Sequence, residues 1–165
     1  MRADQRTSGI LPDAIPGSTL TVVNNTPMTD TPSQGPVTGL VPMIHVADVQ
    51  RSADFYRLLG FEIGNRVPPA GEMGWAWLYS PAAPDWKHGA NLMLTRSDCP
   101  LEPELERVLF YLYATDLKAL RDCLVERGVS ATGISYPEYL PDGEFRVKDP
   151  DGYTLMIAQT SADTP

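Results

Sequence analysis

The sequence predicts an α+β fold built from two βαβββ modules. Three observations predict it. Helix signals recur at one offset: Asp48 and Asp116, each placed to cap a helix, stand 68 residues apart, as do Gly60 and Gly128, each placed to stop one. Apolar residues alternate with period two on both sides of each helix, as strands require. The chain then closes on a hairpin, Glu144 to Gln159, turned by Asp149-Pro150-Asp151-Gly152. In that turn Asp149 caps, Pro150 presets φ, and Gly152 closes.

The elements follow in order. Residues 1–38 are rich in Pro, Thr, Ser, Gly and Asn and poor in large apolar side chains. They are expected to form a disordered tail. The domain is expected over 39–160, with a short tail at 161–165. Module one spans 41–96. It opens with a strand over Val41 to Ala47, followed by a helix with Val49, Ala53, Tyr56 and Leu59 on one face. Strands at Phe61 to Val67, Trp75 to Tyr79 and Ala90 to Thr95 complete it, with Trp86 and His88 in the last loop. Polar, acidic residues 97–107 read as a linker. Module two, 108–159, restarts with a strand over Val108 to Ala114. Its helix carries Leu117, Leu120 and Leu124 on one face, and a strand over Val129 to Ile134 precedes the final hairpin. One such half is too small to cover its own sheet, so two must come together.

Composition narrows the function. A net charge of -8 argues against nucleic acid and anionic membranes as partners. No apolar run reaches the ~20 residues of a membrane span. Cys99 and Cys123 show no metal or redox spacing, which suits a reducing, cytoplasmic setting.

Strand parity separates two faces. Ile44, Val46, Ala76, Leu78, Leu92, Leu94, Phe110, Leu112, Ala114, Phe145, Val147, Leu155 and Ile157 form an apolar set that belongs under the helices. The opposite parity mixes Met43, His45, Trp75, Trp77, Tyr79, Asn91, Met93, Tyr111, Tyr113, Glu144, Arg146 and Met156. Apolar and aromatic walls with a few polar groups suit a small-molecule cavity. The same composition suits a dimer interface. The two readings are compatible.

The helix opening Val46-Ala47-Asp48-Val49-Gln50-Arg51-Ser52, the Asp54-Phe55-Tyr56 and Leu59-Gly60-Phe61 segments, and the Asp149-Pro150-Asp151-Gly152-Tyr153 turn together resemble the vicinal oxygen chelate superfamily. Its members include glyoxalase I, bleomycin-resistance proteins, fosfomycin-resistance enzymes and extradiol dioxygenases. The resemblance covers residues 41–159. It implies paired βαβββ modules, glyoxalase/bleomycin-resistance-like, whose curved mixed sheets enclose a cleft, often in a homodimer. It also implies where a metal enzyme of the superfamily would hold its ion. Those points fall on Val41, Met93, Leu109 and Met156. None supplies the imidazole or carboxylate that a catalytic divalent ion needs, so no metal and no cofactor are expected.

The expectation is therefore a metal-free small-molecule-binding protein of bleomycin-resistance type, acting by sequestration of an aromatic or cationic ligand. Trp75, Trp77, Tyr79, Tyr111 and Tyr113 would be walls, with Met93 and Met156 as lining. His45, Asn91, Glu144 and Arg146 would orient the ligand. Two other readings stay open. One is a glyoxalase-like lyase or isomerase, or a dioxygenase, using ligands off the matched points or His45 as acid and base. The other is a dimerisation or partner-binding domain without catalysis.

Overall fold

A computed structural model describes residues 39–85, 87–102 and 108–161. The expected tail at 1–38, Trp86, residues 103–107 of the linker and residues beyond 161 lie outside the described residues. Module one contains β1 (Met43–Val46), α1 (Val49–Leu58), β2 (Glu62–Val67), β3 (Trp75–Tyr79) and β4 (Asn91–Arg96). Module two contains β5 (Leu109–Ala114), α2 (Leu117–Glu126), β6 (Glu144–Lys148) and β7 (Thr154–Gln159). The strands form two mixed sheets, ordered β1-β4-β3-β2 and β5-β7-β6. In each, the first strand of the module lies parallel to its last strand and the remaining pairs are antiparallel.

The repeat is visible in the helix ends. Asp48 accepts a hydrogen bond from the Arg51 backbone N–H at 2.9 Å, and Asp116 accepts one from Ala119 at 2.9 Å. Both helices are ten residues long. Both end in the same double closure: Gly60 and Phe61 donate back to Arg57 and Tyr56, and Gly128 and Val129 donate back to Val125 and Leu124. Gly60 and Gly128 sit at φ 88° and 82°, a left-handed conformation that a side chain would strain.

Three sequence expectations need correction. The first strand begins at Met43 rather than Val41, and Leu59 is the C-cap residue of α1 rather than part of its face. The strand expected over Val129 to Ile134 is reduced to two isolated bridges, Ala131 to Val147 and Ser135 to Glu144. Thr132 shows why. Its backbone N–H donates to the Arg146 carbonyl as a ladder residue should, but its own carbonyl accepts from the Arg121 guanidinium at 2.6 Å. The Thr132 hydroxyl takes over and accepts from the Arg146 N–H at 2.9 Å. A side chain thus replaces the backbone acceptor, and the ladder does not propagate.

The inward parity packs as expected. Val46, Ala76, Leu78 and Leu94 in module one, and Leu155 and Ile157 in module two, are at most 1% exposed. The two modules share this core and are clasped by the final turn. The Tyr56 hydroxyl donates to Asp149 at 3.2 Å, and Arg51 and Ser52 bind Asp151 at 2.6 and 3.0 Å. The Tyr153 hydroxyl donates to the His45 carbonyl at 3.0 Å. Asp149 also accepts from the Asp151 and Tyr153 backbone N–H groups. The residues that turn the hairpin therefore also join the two halves.

Candidate functional site

The opposite parity forms the second face of each sheet. In module one, Thr95 joins β1 to β3, so His45, Thr95 and Trp75 form one row. Met43, Met93 and Trp77 form the next row, and Asn91 and Tyr79 the one beyond. The Trp77 and Tyr79 rings stack with centroids 5.5 Å apart. Trp77 donates its indole N–H to the Asn91 side-chain oxygen at 2.9 Å, and Asn91 in turn donates to the Gly89 carbonyl at 2.8 Å. Beneath the indole lies Gly64, next to the register irregularity of β2. A Cβ on Gly64 would collide with the Trp77 ring. The absent side chain lets the indole lie flat, and Asn91 fixes its rotation. Trp77 is thus a pre-positioned apolar platform.

In module two, Tyr111, Met156 and Arg146 form one row, and Tyr113, Ala158 and Glu144 the next. Tyr111 and Tyr113 lie with ring centroids 5.6 Å apart and are 40% and 41% exposed. Glu144 is only 4% exposed. Its carboxylate accepts from the Tyr111 hydroxyl on one oxygen and from the Tyr139 hydroxyl, at 2.7 Å, on the other. Burial and the bond to Glu144 push the Tyr111 phenol up from its ordinary value, and Tyr139 is raised by its own bond to Glu144. Both phenols therefore remain protonated donors at neutral pH.

These contacts place the sequence-nominated residues unevenly. Asn91, Tyr111 and Tyr113 meet at one concavity of about 440 Å³, together with Leu40, Pro42, Phe61, Phe110 and Leu112. That concavity draws on both modules. Trp75, Trp77, Tyr79 and Met93 are half-buried on the neighbouring sheet face. His45 is exposed and sits apart, in a depression lined by Asp98, Cys99 and Glu102. Met156, 4% exposed, is interior filler rather than open lining. Arg146 is exposed. Tyr139 was not nominated. It lies in the loop between the bridges, where parity has no meaning, and only its reach back to Glu144 reveals it.

The residues do not fit a divalent ion. Val41, Met93, Leu109 and Met156 offer no nitrogen or carboxylate donor. Among the described residues, no three His, Cys, Asp or Glu side chains are grouped to hold a metal. The chemistry available on the second faces is aromatic stacking, phenolic hydrogen bonding and one buried anion. No helix among the described residues is long and apolar enough to cross a membrane.

Comparison with protein families matches residues 40–157 to the Glyoxalase/Bleomycin resistance protein/Dioxygenase superfamily. No curated protein matches the chain. Among solved structures, the chain is similar to a bleomycin-binding protein complexed with bleomycin, at TM-score 0.58 and 20% identity, covering 76% of this chain and 100% of that one. A bleomycin resistance determinant encoded on the transposon Tn5 gives TM-score 0.59 at 20% identity, covering 76% and 99%. A bleomycin-binding protein from bleomycin-producing Streptomyces verticillus, complexed with copper(II)-bleomycin, gives 0.53 at 20% identity, covering 78% and 100%. At this identity the likeness establishes the fold.

Proposed function

The chain belongs to the Glyoxalase/Bleomycin resistance protein/Dioxygenase superfamily, and we propose that it works there as a metal-free binder that sequesters a small aromatic molecule. One observation carries this reading. Trp77 is laid over Gly64 and locked by Asn91 on a face that the protein leaves half open. An indole needed only for the core would turn inward; one held at a half-open face, with Tyr79 stacked beside it, offers an aromatic wall for a ligand. Two of the similar structures hold bleomycin or its copper(II) complex, which supports a small-molecule ligand for this fold. Sequestration needs only affinity, which stacking and desolvation supply without a reacting group.

The open faces also support a homodimer. Met43 and Leu109 are 54% and 51% exposed, and Tyr111 and Tyr113 are 40% and 41% exposed. A second copy covering these residues would deepen the concavity into a cleft. An interface without a ligand is the competing reading, favoured by the same exposure.

Thermal-shift and calorimetric titration against bleomycin, its copper(II) complex and a panel of planar aromatic compounds tests the proposal. Binding of at least one, with a raised Tm and loss of affinity in Trp77→Ala, is expected. Silence across the panel from a folded dimer would favour the interface reading.

A further inference from the structure

Among the described residues, two acidic side chains are buried, Glu144 and Asp149; Asp149 is turned into the clasp between the modules, whereas Glu144 stands beside the open tyrosines of β5. Glu144 is 4% exposed, yet the only partners of its carboxylate oxygens among the described residues are two neutral phenols. None of the ion pairs among the described residues includes it. A carboxylate removed from water needs hydrogen-bond donors or a cation, and here two phenols supply the donors. Two of its roughly four lone-pair positions are used. Arg146 stands two residues along on the same face but remains exposed and makes no ion pair with it. An anion held this way is stabilised by any cation that reaches it.

The surroundings decide which cation fits. The Tyr111 and Tyr113 rings lie beside the carboxylate, tilted at 42° and open to solvent. Aromatic faces next to an anion attract an organic cation more than a strongly hydrated metal ion. Only two protein oxygens are offered, too few to replace the hydration shell of a hard divalent ion. Of the two phenols on Glu144, Tyr139 is the more exposed. This residue is 73% exposed and donates its hydroxyl to Glu144. The net charge of -8 favours approach of cations.

We propose that Glu144 is the anchoring point for a cationic nitrogen of the ligand, so that the molecule bound is an aromatic amine or amidine. The ammonium displaces the Tyr139 hydroxyl from its carboxylate oxygen. Tyr111 keeps the other oxygen, and its ring and that of Tyr113 flank the cation. This rests on the small-molecule reading above and gives it a ligand class.

Three matched probes test it by calorimetry: naphthylethylammonium, naphthylethanol and naphthylacetate. The ammonium should bind the intact protein about tenfold tighter or more than the alcohol, and the acetate most weakly. Glu144→Gln should abolish that preference while leaving the alcohol's affinity unchanged. Tyr139→Phe removes the competing hydroxyl and should tighten ammonium binding about threefold or more; this variant decides the matter if Glu144→Gln does not fold. Equal binding of ammonium and alcohol to the wild type overturns the inference and leaves the small-molecule reading standing. A preference that survives Glu144→Gln, or is unmoved by Tyr139→Phe, also overturns it. Binding of no probe overturns the inference; the small-molecule reading is then decided by bleomycin, its copper(II) complex and the planar aromatic panel.

Discussion

Module one closes its sheet with four strands and module two with three. The inward residues of β3 and β4 are buried throughout, whereas Phe110, Leu112 and Ala114 of β5 remain half-buried. The second faces differ more. Module one presents stacked, uncharged rings fixed by an amide. Module two presents tyrosines around a buried carboxylate. The helix caps and stops of the two copies are nevertheless alike to a tenth of an ångström in the capping bond. The lesson is that the repeat is retained where it sets backbone geometry and lost where side chains meet the outside.

The packing side of that contrast can be broken most strongly. Leu94, fully buried in β4, and Leu112, half-buried in β5, test it. Leu94→Ala should cost about 2–5 kcal/mol. Leu112→Ala should cost clearly less, since part of its side chain already meets water. Denaturant titration measures both; equal losses would mean that module two is packed as tightly as module one.

A smaller effect tests the clasp between the halves. Burial holds the Asp149 carboxyl above its ordinary value of 3.8, against the hydrogen bonds that favour its charge. A raised acid stabilises the fold fully below its unfolded pKa, and this contribution is lost as pH rises through the folded pKa. Wild-type Tm relative to Asp149→Asn should therefore fall as pH rises from about 3 through that raised value and then level off. Scanning calorimetry across that range reads it. A difference that grows with pH would show that the hydrogen bonds dominate instead.

The smallest effect tests what the halves share. Asp48→Ala and Asp116→Ala should each cost about 1 kcal/mol, and by similar amounts. A twofold difference in denaturant midpoint shift would show that the caps have diverged along with the faces.

Much of the fold was legible because its signals are local. Asp48, Gly60 and their copies at Asp116 and Gly128 act within one helical turn, so spacing alone reveals them. Strand parity sorted the core because side chains alternate wherever a strand exists. The Val129 to Ile134 segment failed for the same reason in reverse. Its ladder is broken by Arg121 and by the Thr132 hydroxyl, contacts that periodicity does not encode. The site was legible as a face and not as a set of contacts. Trp77, Tyr111 and Glu144 could be named from parity, but the isolation of His45 depends on its place at the sheet edge. The role of Gly64 depends on a ring lying above it. Tyr139 depends on a loop folding back, and the part of Asp149 in joining the modules depends on Tyr56, far away in sequence.

The proposed function and the proposed Glu144 anchor together require one ligand to touch both unlike faces. Heteronuclear NMR during titration with naphthylethylammonium tests this most directly. The account predicts that the Trp77 indole N–H and the backbone amides of Tyr79, Tyr111, Tyr113 and Glu144 shift together along one binding curve, while the amides of α1 stay in place. Shifts confined to the depression around His45 and Cys99, or to one module alone, would contradict it.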